Sequence, residues 1–125
     1  MMNVLVIALG GAIGAVARYG AGVAATRAFG PNFPYGTLGV NIIGCFAMGL
    51  LIGLFAMKEP VDPALKLFLT TGILGGFTTF SAFSLETIML YERKPAFAFI
   101  YVAASVIVSL LACWAGLKMM RGYFS

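Results

Sequence analysis

Between Tyr35 and Met57 the chain carries no charged residue at all. Three further stretches are almost as apolar: Asn3 to about Thr26, interrupted only by Arg18; Ala64 to about Tyr91; and Ala96 to Leu117. A helix needs about 20 mostly apolar residues to cross a hydrocarbon core of roughly 30 Å. Four such crossings use nearly all of the 125 residues and leave no room for a separate soluble domain. The expected architecture is one all-α domain of four transmembrane helices, over approximately 3–29, 35–57, 64–91 and 96–119. Turn-forming or charged segments separate them: Gly30-Pro31-Asn32-Phe33-Pro34, Lys58-Glu59-Pro60-Val61-Asp62-Pro63 and Glu92-Arg93-Lys94-Pro95.

Composition agrees with a lipid solvent, because 62% of residues are hydrophobic and only 10% charged, whereas a soluble surface needs roughly a quarter. No Lys or Arg precedes the first apolar run and no small-residue cleavage site follows it, so a retained helix is expected there rather than a removable signal. Cys45 and Cys113 fall inside apolar runs, where Cys behaves as a small hydrophobe. Without His or a CxxC pair, a zinc site and a thiol redox pair lack support. No acid, base and nucleophile converge on one motif, so an enzyme is not expected.

An even number of crossings puts both termini and the middle loop on one side. Lys58, Lys66, Lys118 and Arg121 then oppose Arg27, Arg93 and Lys94, which gives almost no positive-inside bias. Such a chain inserts both ways up and can pair with its own inverted copy, unless lipid or synthesis fixes one orientation. The net charge of +4 is spread over both sides and reads as interfacial anchoring to membrane lipid, with no nucleic-acid patch.

Pairs at GxxxG spacing, Gly10 with Gly14, Gly49 with Gly53 and Gly72 with Gly76, suit close helix packing. The third stretch holds the least ordinary run, Gly75-Gly76-Phe77-Thr78-Thr79-Phe80-Ser81-Ala82-Phe83-Ser84. Paired glycines followed by β-branched residues weaken a helix, so a break is expected at the double glycine, with one half-helix ending near Gly75 and the next starting near Phe80. Freed carbonyls there suit a cation and freed amides an anion; tight packing of a continuous helix is the alternative. Phe80 and Phe83, three apart, share a face, and ring edges carry partial positive charge. Asn41, four residues after Thr37, offers amide donors inside the bilayer, for an anion or for a neighbouring helix. Tyr101, Ser105 and Ser109 form a hydroxyl stripe at intervals of four. Arg18, expected about one turn inside the loop end of the first helix, is suited either to drawing anions into a vestibule or to snorkelling, and Glu86 lies two turns from the loop end of the third.

Three segments, Gly11-Ala12-Ile13-Gly14-Ala15-Val16-Ala17-Arg18, Gly36-Thr37-Leu38-Gly39-Val40-Asn41 and Gly72 through Glu86 (GILGGFTTFSAFSLE), resemble the small dual-topology fluoride channels, called Fluc or CrcB-type. The resemblance covers essentially the whole chain. It implies an antiparallel homodimer in the bacterial inner membrane, with two fluoride-selective pores. The edges of Phe80 and Phe83 and the Asn41 amide would contact fluoride. Thr37, Ser81, Ser84, Glu86, Tyr101, Ser105 and Ser109 would form the polar track and its neighbours. Backbone carbonyls of Gly75 and Thr78 would hold a structural sodium ion. A proton-coupled small multidrug transporter is the competing four-helix reading, but it needs a carboxylate typically in the first helix, where this chain has Arg18 and no acid. A non-transporting membrane subunit is the third.

Overall fold

The computed structural model describes residues 1–58 and 60–124, so Glu59 of the polar middle loop lies outside the described residues. Helix α1 spans Met2–Phe29, α2 spans Tyr35–Met57, and α6 spans Pro95–Phe124. The third hydrophobic stretch is a succession: α3 at Pro63–Leu67, a π-helical segment at Phe68–Leu74, α4 at Gly75–Phe77, and α5 at Ser81–Arg93. Taken as a whole, the described chain contains four helical segments long and apolar enough to cross a membrane.

The element ends follow local chemistry. Gly30 adopts φ 83° and returns its N–H to the Thr26 carbonyl at 2.8 Å, a conformation that glycine enters without penalty. Asp62 caps α3 by accepting from the Ala64 N–H at 3.1 Å, and Pro63 occupies the first helical position, where a missing donor costs nothing. Pro95 opens α6 for the same reason. That helix continues through Lys118 and Arg121, whose long stems can run along apolar surface while the charge reaches the interface; the Lys118 ammonium lies 5.5 Å from the Trp114 ring centroid.

Glycine decides how the helices pair. A Cβ on Gly10 would stand 2.7 Å from the Phe68 carbonyl oxygen, and one on Gly14 would stand 2.8 Å from the Phe77 amide nitrogen. Both residue numbers rise together, so α1 runs parallel to the third segment. On α2, a Cβ on Gly49 would meet Leu117 N at 2.9 Å, and one on Gly53 would meet Met120 Cβ at 2.7 Å. Helices α2 and α6 are thus parallel as well, as chain crossings one and three, or two and four, must be. The only side-chain space at these contacts is that of hydrogen. Gly49→Leu is therefore expected to separate α2 from α6 at a cost of about 3 kcal/mol or more, measurable as a lower unfolding temperature in detergent. Gly39→Ala, where no atom lies within 4 Å of the added carbon, should leave that temperature unchanged.

A small core of Leu90, Ala98 and Tyr101 closes the end nearest the first loop, with Phe33, Leu38 and Phe83 packed on it. Much of the remaining apolar surface faces outward, including Val16, Ile43, Leu110 and Trp114, as lipid contact demands.

Candidate functional site

The interruption of the third segment falls at Thr78–Phe80, three residues later than the double glycine at which it was expected. Gly75 is helical, with φ −62° and ψ −37°, whereas Thr78 is extended, with φ −82° and ψ 157°. The physical reason is contact: a Cβ on Gly76 would sit 3.0 Å from Gly11 Cα, so this glycine serves the approach of α1 rather than unwinding. The β-branched threonine takes the extended conformation it favours.

What stabilises the break comes from another helix. In continuous helix the Thr79 N–H would bond the Gly75 carbonyl, and the Ala82 N–H would bond the Thr78 carbonyl. Instead the Thr79 N–H donates to Asn41 Oδ1 at 2.8 Å, and Asn41 Nδ2 donates back to the Thr79 carbonyl at 3.0 Å. The Ala82 N–H donates to Thr79 Oγ1 at 3.1 Å, which starts α5 with a side-chain cap. Asn41 thus reproduces the hydrogen bonding of a neighbouring strand, and the Gly75 and Thr78 carbonyls are released from their helical donors.

Around the break lies a cavity of about 250 Å³, lined by Asn41, Cys45, Thr78, Thr79, Phe80, Phe83, Ser105, Val106 and Ser109. The Phe80 and Phe83 ring centroids are 5.7 Å apart, tilted by 52°. Phe83 is half-buried and continues to Tyr101 at 5.2 Å, which in turn meets Phe33 edge-on at 5.5 Å. Phe80, by contrast, is 78% exposed; standing just before α5 rather than on it, it projects away from the bundle. The two aromatics therefore adjoin without sharing one buried helix face.

The hydroxyl stripe of α6 is buried: Tyr101 is fully enclosed, and Ser105 and Ser109 are 6% and 9% exposed. All three oxygens lack a hydrogen-bond partner among the described residues. Each of these unmatched hydroxyls costs about 1–3 kcal/mol if left without an acceptor.

Thr37 Oγ1 donates to Glu86 Oε1 at 2.6 Å, and both residues line a second cavity of about 270 Å³ with Arg93 and the loop residues Pro31, Phe33 and Pro34. Thr37 also lines a third cavity of about 500 Å³, with Arg18, Arg27, Thr26 and Val40. Arg18 lies about three turns inside the Phe29 end of α1, deeper than the single turn expected. Its Nε donates to the Gly76 carbonyl at 3.3 Å, tying the guanidinium to the segment before the break. Ser84 Oγ returns to the Phe80 carbonyl at 2.9 Å, and Ser81 Oγ meets Thr79 Oγ1 at 3.3 Å. Neither serine lines these three cavities.

Sequence reading passed over Thr79, whose three bonds hold the break, and treated Cys45 as packing. Both were within reach: Cys45 continues the Thr37, Asn41 series at the same interval of four. The π-helical segment, with Thr70 Oγ1 bonded to the Lys66 carbonyl at 2.7 Å, had no comparable signal.

Fold and site together define a small multi-pass membrane protein in which an interrupted segment, an aromatic pair and two buried serine hydroxyls surround one cavity. Residues 5–117 match the family described as CrcB-like protein, Camphor Resistance (CrcB). The chain is similar to a fluoride-specific ion channel FluC of Agrobacterium fabrum, 50% identical over 125 residues, covering 99% of this chain and 100% of that one. It is also similar to proteins of the same name from Rhizobium etli, 53% identical over 97% of this chain and 98% of the relative, and Paracoccus denitrificans, 54% identical over 97% and 96%. The chain belongs to the CrcB family. It is a multi-pass integral protein of the bacterial plasma membrane.

Proposed function

We propose that the chain is a fluoride-selective channel that lets fluoride leave the cytoplasm passively. The observation that carries this reading is the pair of unmatched hydroxyls of Ser105 and Ser109 lining a cavity walled by Phe80, Phe83 and Asn41, with the Tyr101 hydroxyl one turn further along α6. A small dehydrated anion recovers donors from hydroxyls and the positive rims of aromatic rings, and no full cation lines this cavity to trap it. The negative-inside potential drives it outward by about 2.3 kcal/mol per 100 mV. The relatives' names supply the identity of the ion, and they name channels, a non-enzymatic class.

The working unit is an antiparallel homodimer with two pores, the break lying at mid-membrane on the axis between copies. Supporting this are the near balance of Lys and Arg between the two sides and the outward projection of Phe80, an aromatic better covered by a second copy than by lipid alone. Gly75 is exposed on the same segment, and its carbonyl and that of Thr78 have lost their helical donors. Two such pairs facing each other offer only oxygen ligands, which fits a hard monovalent cation. Gly75 and Thr78 of each copy would hold sodium there, and the ion would supply a fixed positive charge that locks the copies together.

Reconstitution in liposomes loaded with fluoride tests the reading. Addition of a potassium ionophore to relieve the charge imbalance should release fluoride, read by a fluoride electrode, while chloride-loaded vesicles release little. Equal release of both anions, or release of neither, defeats it.

A further inference from the structure

The cavity wall contains one reactive group that neither the anion path nor the packing accounts for. Cys45 stands one turn beyond Asn41 on α2 and lines the same cavity as Asn41, Phe80, Ser105 and Ser109. Its level follows from the helix pairing: Gly49 packs on the Cys113 backbone, and because the two helices run parallel, one turn back on each brings Cys45 beside Ser109. Ser105 and Ser109 are more than nine-tenths buried with unpartnered hydroxyls, so the thiol borders a place already prepared for a ligand. A thiol is a weak donor and a weak acceptor, so its contact with Ser109 engages that hydroxyl only weakly and leaves the Ser105 hydroxyl free. At about 30 Å³ per water, the cavity has room for several small molecules.

We propose that Cys45 lines the anion path and is a thiol modification site at which small anionic electrophiles close it. The proposal rests on the channel reading above. The cysteine faces the path uncharged, so it neither repels nor holds an anion; a negative charge added at Sγ projects among the serine hydroxyls and repels the ion from them. With an alkyl methanethiosulfonate, the Cys45 thiolate attacks the sulfenyl sulfur, a new S–S bond forms, methanesulfinate leaves, and the thiol proton passes to solvent. Cys113, the second cysteine, does not line this cavity and supplies the contrast.

The test uses the full chain with Cys113→Ala, so that Cys45 is the sole thiol, reconstituted in liposomes. Two probes of similar length are compared, sulfonatoethyl and trimethylammonioethyl methanethiosulfonate, with labelling followed by intact mass. Labelled Cys45 should lower fluoride efflux about tenfold with the anionic adduct and much less with the cationic one, because fixed charge in a low-dielectric path acts on a permeating anion according to sign. Cys45→Ala, whatever its starting flux, should not respond to either probe. Equal inhibition by both adducts would reveal mere disturbance of packing and overturn the proposal, as would unchanged flux in fully labelled protein or a thiol that resists labelling. Should the unmodified chain carry no fluoride, the channel reading falls by itself; labelling then still decides whether Cys45 faces a solvent-accessible cavity.

Discussion

Phe80→Ile is expected to reduce fluoride efflux about thirtyfold, the loss of about 2 kcal/mol of stabilisation along the path, while the protein unfolds at its usual temperature. The separation of the two effects follows from position. Phe80 is 78% exposed, so its ring contributes little to the packing of its own subunit, yet the residue lines the cavity shared with Asn41 and Ser105. Isoleucine keeps the bulk and removes the positive rim. Phe83→Ile should depress flux similarly but also lower stability, because that ring packs on Tyr101 at 5.2 Å and helps close the small core. Efflux unchanged in both variants, with each eluting as the parent does on size-exclusion chromatography, would dismiss the aromatic contribution.

The second large effect is expected at Asn41. Asn41→Ala strands the Thr79 N–H and carbonyl, each worth about 1–3 kcal/mol, so the expected destabilisation is about 2–6 kcal/mol, with flux lost as the break rearranges. Asn41→Asp separates the two duties of the side chain. A carboxylate still accepts from the Thr79 N–H, so part of the stability should return, but it cannot donate to the carbonyl and it sets a negative charge beside the path. Thermal unfolding in detergent and fluoride efflux, measured on the same preparations, should therefore rank these variants differently: alanine least stable, and both inactive. An alanine variant as stable as the parent would show that the amide does not hold the break.

Four crossings were legible in the sequence because lipid tolerates so few charged residues that four apolar stretches and their polar separators stand out. The small-residue spacings were equally readable, and Gly10, Gly14, Gly49 and Gly53 do lie where backbones touch. The position of the interruption was less so. Gly75 and Gly76 look like the weak point when only local propensity is weighed, yet they stay helical, since Gly76 is used for contact with α1 and the departure from helix is captured by Asn41, a residue 38 positions away from Thr79. No local pattern encodes a bond between distant segments. The depth of Arg18 was misjudged although the first span was expected to reach 29, since a helix ending at Phe29 leaves Arg18 about three turns inside it. Cys45 was set aside because a thiol in an apolar run usually packs, although its place in the Thr37, Asn41 series was readable.

Thr37, Asn41 and Cys45 share one stripe of α2, and each meets something different: Glu86, the strand-like turn at Thr79, and the neighbourhood of Ser109. One residue added or lost between positions 37 and 45 would rotate part of that stripe by about 100°, breaking at least one of these appointments and turning the polar atoms concerned toward lipid. Length variation in descendants of this chain should accordingly collect in the segments joining the helices, and the spacing along this part of α2 should be the most rigid inheritance the molecule has.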